Sequence, residues 1–420
     1  MGVKKHVESM VLVAIMVCSI FFRPVAVETK PYALSRLKQR MVLDRKKPKK
    51  KKKLNVGMLA LIVIFVLSLF STLPFATSNP DTTYYVPDDF EKIQWAINNA
   101  TAGDTILVYS GTYYENVYID KQLNLQGFDD GNGTPVVDAG GVGSAIGLFA
   151  DGINLEGFVI RRGDIGIEVM SNNNHLINNF VESNERGIVL SYSSNNNLSG
   201  NFIAMNTVHF GIEGDDVNHF LHAIDTTNEV DGKPIYYVVA APPDLVIDAS
   251  SGAGYVGIIN SVNVTIRDLE LTNNGEGVLF FNTSNSVIEN VTAAAYSGYG
   301  LSLIHSNDNT LINNTANSTF NGFVGISLDY SNNNTLINNI ANSNWDAGIS
   351  LSESTNNTLI NNTANSNYYH GIVIYSSSGN NLAQNEMNSN NYNFALHGSY
   401  DVEFDNEIYI NNTVDGKPIY

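Results

Sequence analysis

The C-terminal half of the chain repeats a block of residues about every 23 positions, and this period constrains the fold more than any other feature. Asn309-Thr310-Leu311-Ile312-Asn313-Asn314 returns at 334–339 and 357–362, and loosely at 380–385. A block of Gly-Ile-x-Leu type accompanies it, starting at Gly300, Gly325, Gly348 and Gly371 with steps of 25, 23 and 23. An earlier run carries the same pattern in Leu176…Asn179 and Leu198…Asn201, beside Gly166-Ile167 and Gly187-Ile188. Within each unit, short runs alternate apolar and polar, the signature of a strand with one buried face. Asn, Ser and Gly separate the runs, and Asn and Gly tolerate the left-handed backbone of a sharp corner. No single unit can bury its apolar face, so neighbours must stack. The expected fold is all-β: a right-handed, single-stranded parallel β-helix of about 23 residues per coil. Each coil adds one strand to each of several parallel sheets.

Stacking places equivalent side chains about 4.8 Å apart along the axis. Asn290, Asn314, Asn339, Asn362 and Asn385, with Asn179 and Asn201 earlier, then form a structural ladder whose amides bond along the stack. On that ladder Asn290 is expected to be inaccessible. Leucine-rich repeats share the period but need a helix-length Leu pattern that is missing here. The calcium-binding Gly-Gly-x-Gly-x-Asp nonapeptide is missing too.

Residues 1–53 carry 15 Lys and Arg against three acids, Glu8, Glu28 and Asp44. The remaining 367 residues hold 8 basic and 38 acidic side chains, a net charge of −30. Such a body repels nucleic acid and anionic lipid, so neither is an expected partner of it. Leu54–Pro80 is free of charge and follows Lys49–Lys53. It reads as a signal peptide or signal anchor with its apolar centre at Val56–Phe70 and a cleavage site at Phe75-Ala76-Thr77-Ser78. The basic flank stays in the cytoplasm, which places Thr77 onward outside, extracellular or at the cell surface. If uncleaved, the segment ties the protein to the membrane. Met10–Phe22 is too short to span comfortably, and Met41 is a plausible start. Residues 1–53 are then a basic cytoplasmic segment or a mis-assigned leader. Cys18 is the only cysteine, so the body has no disulfide and no thiolate ligand.

Residues 84–140 are expected to form the N-terminal cap and first coils. Residues 141–420 form the repeats, with an insertion near 206–256. Phe90, Ile93 and Ile97 lie at helical spacing behind Asp88 and Asp89, which predicts a helix over Phe90–Ala100, capped by those acids and plugging the first coil. Val230-Asp231-Gly232-Lys233-Pro234-Ile235-Tyr236 recurs as Val414–Tyr420, 184 residues on. The recurrence marks a truncated second module copy from about residue 401, within a native protein expected to be longer. The stretch 90–128 resembles the N-terminal cap of pectin-lyase-like β-helices. Residues 228–239 and 253–280, with the Asn-rich coils after them, resemble the NosD family. Its members are exported β-helix proteins named for accessory proteins of nitrous-oxide reductase copper-site assembly, and they are abundant among archaeal surface proteins. The similarity covers about residues 84–420. It implies the fold and, through the family's name, copper delivery, although the same repeats occur in proteins with no copper role.

Three constellations are candidates for chemistry. Asp215, Asp216, His219 and His222 form the most metal-like cluster, for copper or calcium. At the 184-residue offset Glu403 stands for His219 and Asn406 for His222, so the motif survives without its imidazoles and no cofactor is expected. A polysaccharide lyase, hydrolase or epimerase needs paired carboxylates, or a carboxylate-held cation beside a basic group. The region 270–400 has no Lys or Arg, Arg161-Arg162-Gly163-Asp164 reads as a solvated corner, and no catalytic residue is assigned. An aromatic precedes each Gly-Ile-x-Leu block: Tyr296 and Tyr299, Phe320 and Phe323, Trp345, then Tyr368 and Tyr369. Trp345 and Tyr368 each sit three residues before their glycine and should stack on adjacent coils. An exposed strip of rings beside Asn, Asp and Ser suits flat sugar faces, so a polysaccharide or cell-surface glycan is the expected partner. Packing at the coil corner explains the same residues without a ligand. Twelve Asn-x-Ser/Thr sequons, among them Asn317, Asn333 and Asn356, suit an exported glycoprotein.

Overall fold

In a computed structural model of the chain, the described residues are 82–294, 298–317 and 323–420. The leader at 54–80, Tyr296 and Phe320 lie outside them. Among the described residues no helix is long and apolar enough to cross a membrane.

The chain winds as a parallel β-solenoid in two successive stretches. In the first, one sheet runs over seven strands from Thr83–Val86 to Ala223–Ile224, and another over five from Val117–Ile119 to Val208–Glu213. Leu125, Leu155, Leu176 and Leu198 pair in register from coil to coil. All four are fully buried, because every second residue of a strand faces the core. The second stretch stacks the Gly-Ile-x-Leu strands in one sheet and the Thr-Leu-Ile strands in another. Ile326, Ile349 and Ile372 are in register there, as are Leu336, Leu359 and Leu382.

The stretches meet at a hairpin. Glu229–Val230 pairs antiparallel with Lys233–Pro234, across Asp231 at φ +48° and Gly232 at φ +76°. Two left-handed central residues are what a two-residue hairpin turn requires. A single 14-stranded sheet therefore runs through both stretches, with strand direction reversed at this turn. Residues 206–256 hold the last strands of the first stretch, the hairpin, and the first strands of the second. Side chains lock the joint: Phe210 meets Tyr255 edge-on at 5.1 Å and Phe220 stacks on Phe281 at 4.1 Å. The Tyr237 hydroxyl donates to the Phe220 carbonyl at 2.5 Å.

The first helix is shorter than its apolar spacing predicts, Ile93–Asn99. Asp88 and Asp89 do not cap it. The Glu115 carboxylate, from the next coil, accepts the N–H groups of Ile93 and Gln94 at 2.9 and 3.0 Å. At the other end Lys121 Nζ donates to the carbonyls of Ile97 and Ala100. Both ends are thus satisfied by tertiary partners, which sequence-local capping rules cannot see.

The asparagine ladder is present and buried. The backbone N–H and Nδ2 of Asn314 both donate to Asn339 Oδ1, and Asn339, Asn362 and Asn385 repeat the pattern towards Asn412, all at 2.8–3.0 Å. Asn179 and Asn201 do the same towards Asn228. Asn290 is not on the ladder. It is exposed, with φ +52°, and Val291 holds the ladder position, its N–H donating to Asn314 Oδ1 at 2.9 Å. The step from that coil is 23 residues, not 24, and Asn290 belongs to the left-handed corner column of Asn313, Asn338 and Asn361. A second ladder, Asn309, Asn334, Asn357, Asn380 and Asn406, runs at another corner, each backbone N–H donating to the next Oδ1.

Candidate functional site

The stacking expected of Trp345 and Tyr368 is what the coils produce. Both residues precede their strands by two positions and so sit at a corner, where their rings stack at 4.7 Å and 14°. Tyr369 meets Tyr368 edge-on at 4.7 Å, and His370 stacks on Tyr392 of the next coil at 5.5 Å. Trp345, Tyr368, Tyr369 and Tyr392 are 42, 51, 41 and 62 % exposed, so the rings form a continuous ridge open to solvent. Asp346 stands beside it, 3.7 Å from His370 Nδ1. The backbone of Asp346 also accepts the N–H groups of Tyr369 and His370, which fixes both rings on the corner below.

Tyr299 and Phe323 do not join this ridge. They meet edge-on at 5.4 Å, in a cleft of about 320 Å³ where the two stretches meet. Tyr299 is itself a strand residue, in register with Glu276, so it points off the sheet face and not off the corner. The cleft also holds Arg186, Glu213, Glu276 and Asp329. Arg186 Nη2 bonds Glu213 Oε1 at 2.5 Å, and the Tyr255 hydroxyl lies 3.3 Å from Glu276 Oε2. Burial pushes the Glu276 carboxyl up to about 7, against the opposing pull of Arg186 and the Tyr255 bond. Burial also raises Asp329 and Tyr299. The floor is backbone on backbone: a Cβ on Gly298 would lie 1.4 Å from the Gly275 carbonyl oxygen, so only glycine fits there.

The metal-like quartet is pulled apart by structural duties. Asp216 caps the turn Val217–Phe220 by accepting the Asn218 N–H at 2.8 Å. His219 Nδ1 lies 3.2 Å from Asp215 Oδ1 and within 3.4 Å of the N–H groups of Asp215 and Asp216. His222 is buried, and its Nδ1 accepts the Asn196 N–H at 3.3 Å while Nε2 meets the His219 carbonyl at 3.0 Å. It therefore occupies a rung of an Asn column, Asn174–Asn196–His222. In the duplicate Asn406 fills that rung, accepting the Asn380 N–H at 2.9 Å. Burial holds the His222 imidazole down to about 4, although its bond to the His219 carbonyl pulls the other way. Among the described residues no group of three His, Cys, Asp or Glu could hold an ion. The donors present do not fit the copper that the family's name implies. His222→Asn is accordingly expected to leave copper content unchanged and neutral-pH stability within about 1 kcal/mol, checked by elemental analysis and denaturant melts.

The Arg161-Arg162 corner is less solvated than its sequence suggests. Arg161 Nε and Arg162 Nη1 lie 3.0 and 3.5 Å from Asp138 Oδ2, whose side chain is fully buried. A buried carboxylate needs such partners.

One groove was not anticipated. Asp215 and Asp216 line a cavity of about 650 Å³ with His305, Tyr330 and Glu353. His305 stacks on Tyr330 at 5.0 Å. Each of these three stands five residues after its repeat glycine, at Gly300, Gly325 and Gly348, so aligning the repeats on glycine would have revealed the column.

Comparison with known proteins adds the family. The family described as periplasmic copper-binding protein (NosD) matches residues 97–228 and again 228–417. A cell surface glycoprotein of Methanothermus fervidus is 33 % identical over 119 residues, which is 28 % of this chain and 18 % of that protein. The match thus spans under a fifth of that glycoprotein's length. Among solved structures, the mannuronan C-5 epimerase AlgE4 A-module of Azotobacter vinelandii is 18 % identical with a TM-score of 0.30, over 74 % of this chain and 78 % of that one. The DFA-IIIase of Arthrobacter chlorophenolicus A6 is 14 % identical with a TM-score of 0.34, over 81 % and 98 %.

Proposed function

The chain belongs to the NosD family, and on that footing we propose that it is an exported, cell-surface β-helix that binds a polysaccharide or surface glycan along its aromatic ridge and does not cleave it. The observation that carries this reading is the solvent-open stack of Trp345 on Tyr368, continued by Tyr369 and Tyr392. Contiguous exposed rings on a soluble body mark a contact site, and aromatic faces pair with the apolar faces of sugar rings. Coils about 4.8 Å apart repeat such faces along an axis, which suits a linear chain lying lengthwise. Surface location is supported by the likeness to a cell surface glycoprotein and by the expected export signal before residue 80. Binding without cleavage is supported by the make-up of the ridge among the described residues, exposed rings beside the carboxylate of Asp346, where glycoside cleavage calls for a carboxylate pair.

Co-sedimentation with insoluble cell-wall polysaccharide tests this. The parent is expected to pellet with the polymer, and Trp345→Ala plus Tyr368→Ala to lose at least tenfold in affinity, about 1.4 kcal/mol. Equal binding by the double variant would leave the ridge as corner packing.

A further inference from the structure

The ridge and the joint cleft lie on one line. At the corner before the Gly-Ile-x-Leu strands the backbone is bonded from coil to coil. The Tyr392 N–H donates to the Tyr369 carbonyl at 2.7 Å, Tyr369 to Asp346 at 3.2 Å, and Asp346 to Phe323 at 3.1 Å. Phe323 then meets Tyr299 of the preceding coil edge-on. Four steps of about 4.8 Å make a line of about 19 Å from Tyr392 to Tyr299.

Beyond Tyr299 the line is walled. In the coil before it, Glu276 is buried, where the first stretch lies against the second. The His209 N–H donates to the Asn273 carbonyl at 2.6 Å and the Gly275 N–H to the Phe210 carbonyl at 2.8 Å. Arg186 and Glu213, paired with each other, stand in the cleft beside Glu276. A linear molecule laid along the rings therefore stops at the cleft.

The size and lining of the cleft determine what can stop there. Its volume of about 320 Å³ is at the small end of ligand sites, which suits one sugar ring and not a run of them. Tyr299 and Phe323 offer ring faces and Ser302 a hydroxyl. Glu213, Glu276 and Asp329 set three carboxyls against the one guanidinium of Arg186, itself bonded to Glu213. Such a lining repels an anionic sugar.

We propose that the joint cleft is a terminal subsite, which holds the uncharged sugar residue at one end of a linear glycan whose next residues lie on Trp345 and Tyr368. This rests on the ridge being a glycan site. It adds that the protein takes chain ends of neutral glycans, not any stretch of chain.

Ser302→Leu closes the cleft without touching the ridge. Its column along the sheet runs Leu279, Ser302, Ser327, Ser350, Val373, so the strand face already accepts aliphatic side chains. The test is calorimetric titration of the full chain with neutral hexasaccharides of glucose, mannose, galactose and N-acetylglucosamine, and with hexagalacturonate. At least one neutral hexasaccharide is expected to bind at least tenfold tighter than hexagalacturonate. Longer chains of that sugar should bind one protein per chain at every length. Ser302→Leu, folded by circular dichroism, should lose at least tenfold in affinity, and so should Phe323→Ala, which removes a cleft wall instead of filling the space. Tyr368→Ala separates the two sites. If it weakens binding while both cleft variants bind like the parent, the ridge stands and the terminal subsite is wrong. Several proteins on each longer chain, or hexagalacturonate bound as tightly as the neutral sugars, would also overturn the subsite alone. If none of these sugars binds the parent, subsite and ridge site fail together.

Discussion

Replacing Asn339 with Leu is expected to cost about 2–6 kcal/mol, because the Asn314 N–H and the Leu311 carbonyl both lose their bonds to this side chain inside the solenoid. Asn339 Oδ1 accepts both the backbone N–H and the Nδ2 of Asn314, and its own Nδ2 donates to the Leu311 carbonyl at 2.9 Å. Leucine has the branched outline of asparagine but none of these bonds, and the site is fully buried, so water cannot replace them. The neighbouring residue provides the control. Asn338 is exposed with φ +57°, so Asn338→Gly should change stability by well under 1 kcal/mol. Denaturant melts of the two variants separate a buried amide ladder from mere asparagine richness. Equal midpoints would mean that the ladder bonds carry no net stability.

The second large effect is pH-dependent and sits at the joint between the stretches. Glu276 is held at about 7 against an ordinary 4.5 by burial, with Arg186, Glu213, Tyr255 and Tyr299 around it. The native state keeps its proton between those values while the unfolded chain releases it. Stability from this group is therefore full below about pH 4.5 and falls by about 3 kcal/mol as pH rises to 7. His222 works in the opposite sense. Its imidazole, ordinarily at 6.5 and held at about 4 by burial, stays neutral in the fold. Its contribution is full above pH 6.5 and falls by about 3 kcal/mol as pH drops to 4. Over pH 4.5–6.5 the two largely offset each other. Glu276→Gln should remove one side of that balance. The variant is expected to be about 3 kcal/mol more stable than the parent at pH 8, relative to their difference at pH 4. Urea melts at both pH values read this directly. A pH-independent difference would place Glu276 in contact with water and ionised in the fold.

Much of this architecture was legible in the sequence because a solenoid is nearly one-dimensional. The period gave the coil, the alternation gave the buried face, and the Asn step gave the ladder. The failures share a cause, since each depends on contacts between coils that the repeat does not encode. Asn290 was misplaced by one residue because Glu289-Asn290-Val291 breaks the Asn-Asn pair that marks the corner elsewhere. The helix caps come from Glu115 and Lys121, about one coil away. Tyr299 looked like a member of the aromatic strip, but it is the first residue of its strand, two positions later than Trp345 and Tyr368, which turns it into the joint cleft. The cleft itself brings Arg186 against Glu276 from stretches on either side of the hairpin, and no periodicity links those positions. His222 looked like a ligand because an imidazole can substitute for an amide as a ladder acceptor, and only the geometry of Asn196 distinguishes the two roles.

The most direct measurement of ridge function is the fluorescence of Trp345 in a Trp95→Phe background. Trp95 and Trp345 are the only two tryptophans of the chain, and Trp95 is exposed far along the sequence, with Lys92 Nζ 5.5 Å from its ring. Its removal leaves a single reporter on the ridge. Titration with soluble cell-wall polysaccharide and with shortened fragments of it is expected to give a saturable change in Trp345 emission. Affinity should rise with fragment length and drop at least tenfold, about 1.4 kcal/mol, in Tyr368→Ala. Emission that does not respond to any of these polymers, or a response of equal affinity in Tyr368→Ala, would contradict glycan binding along this edge.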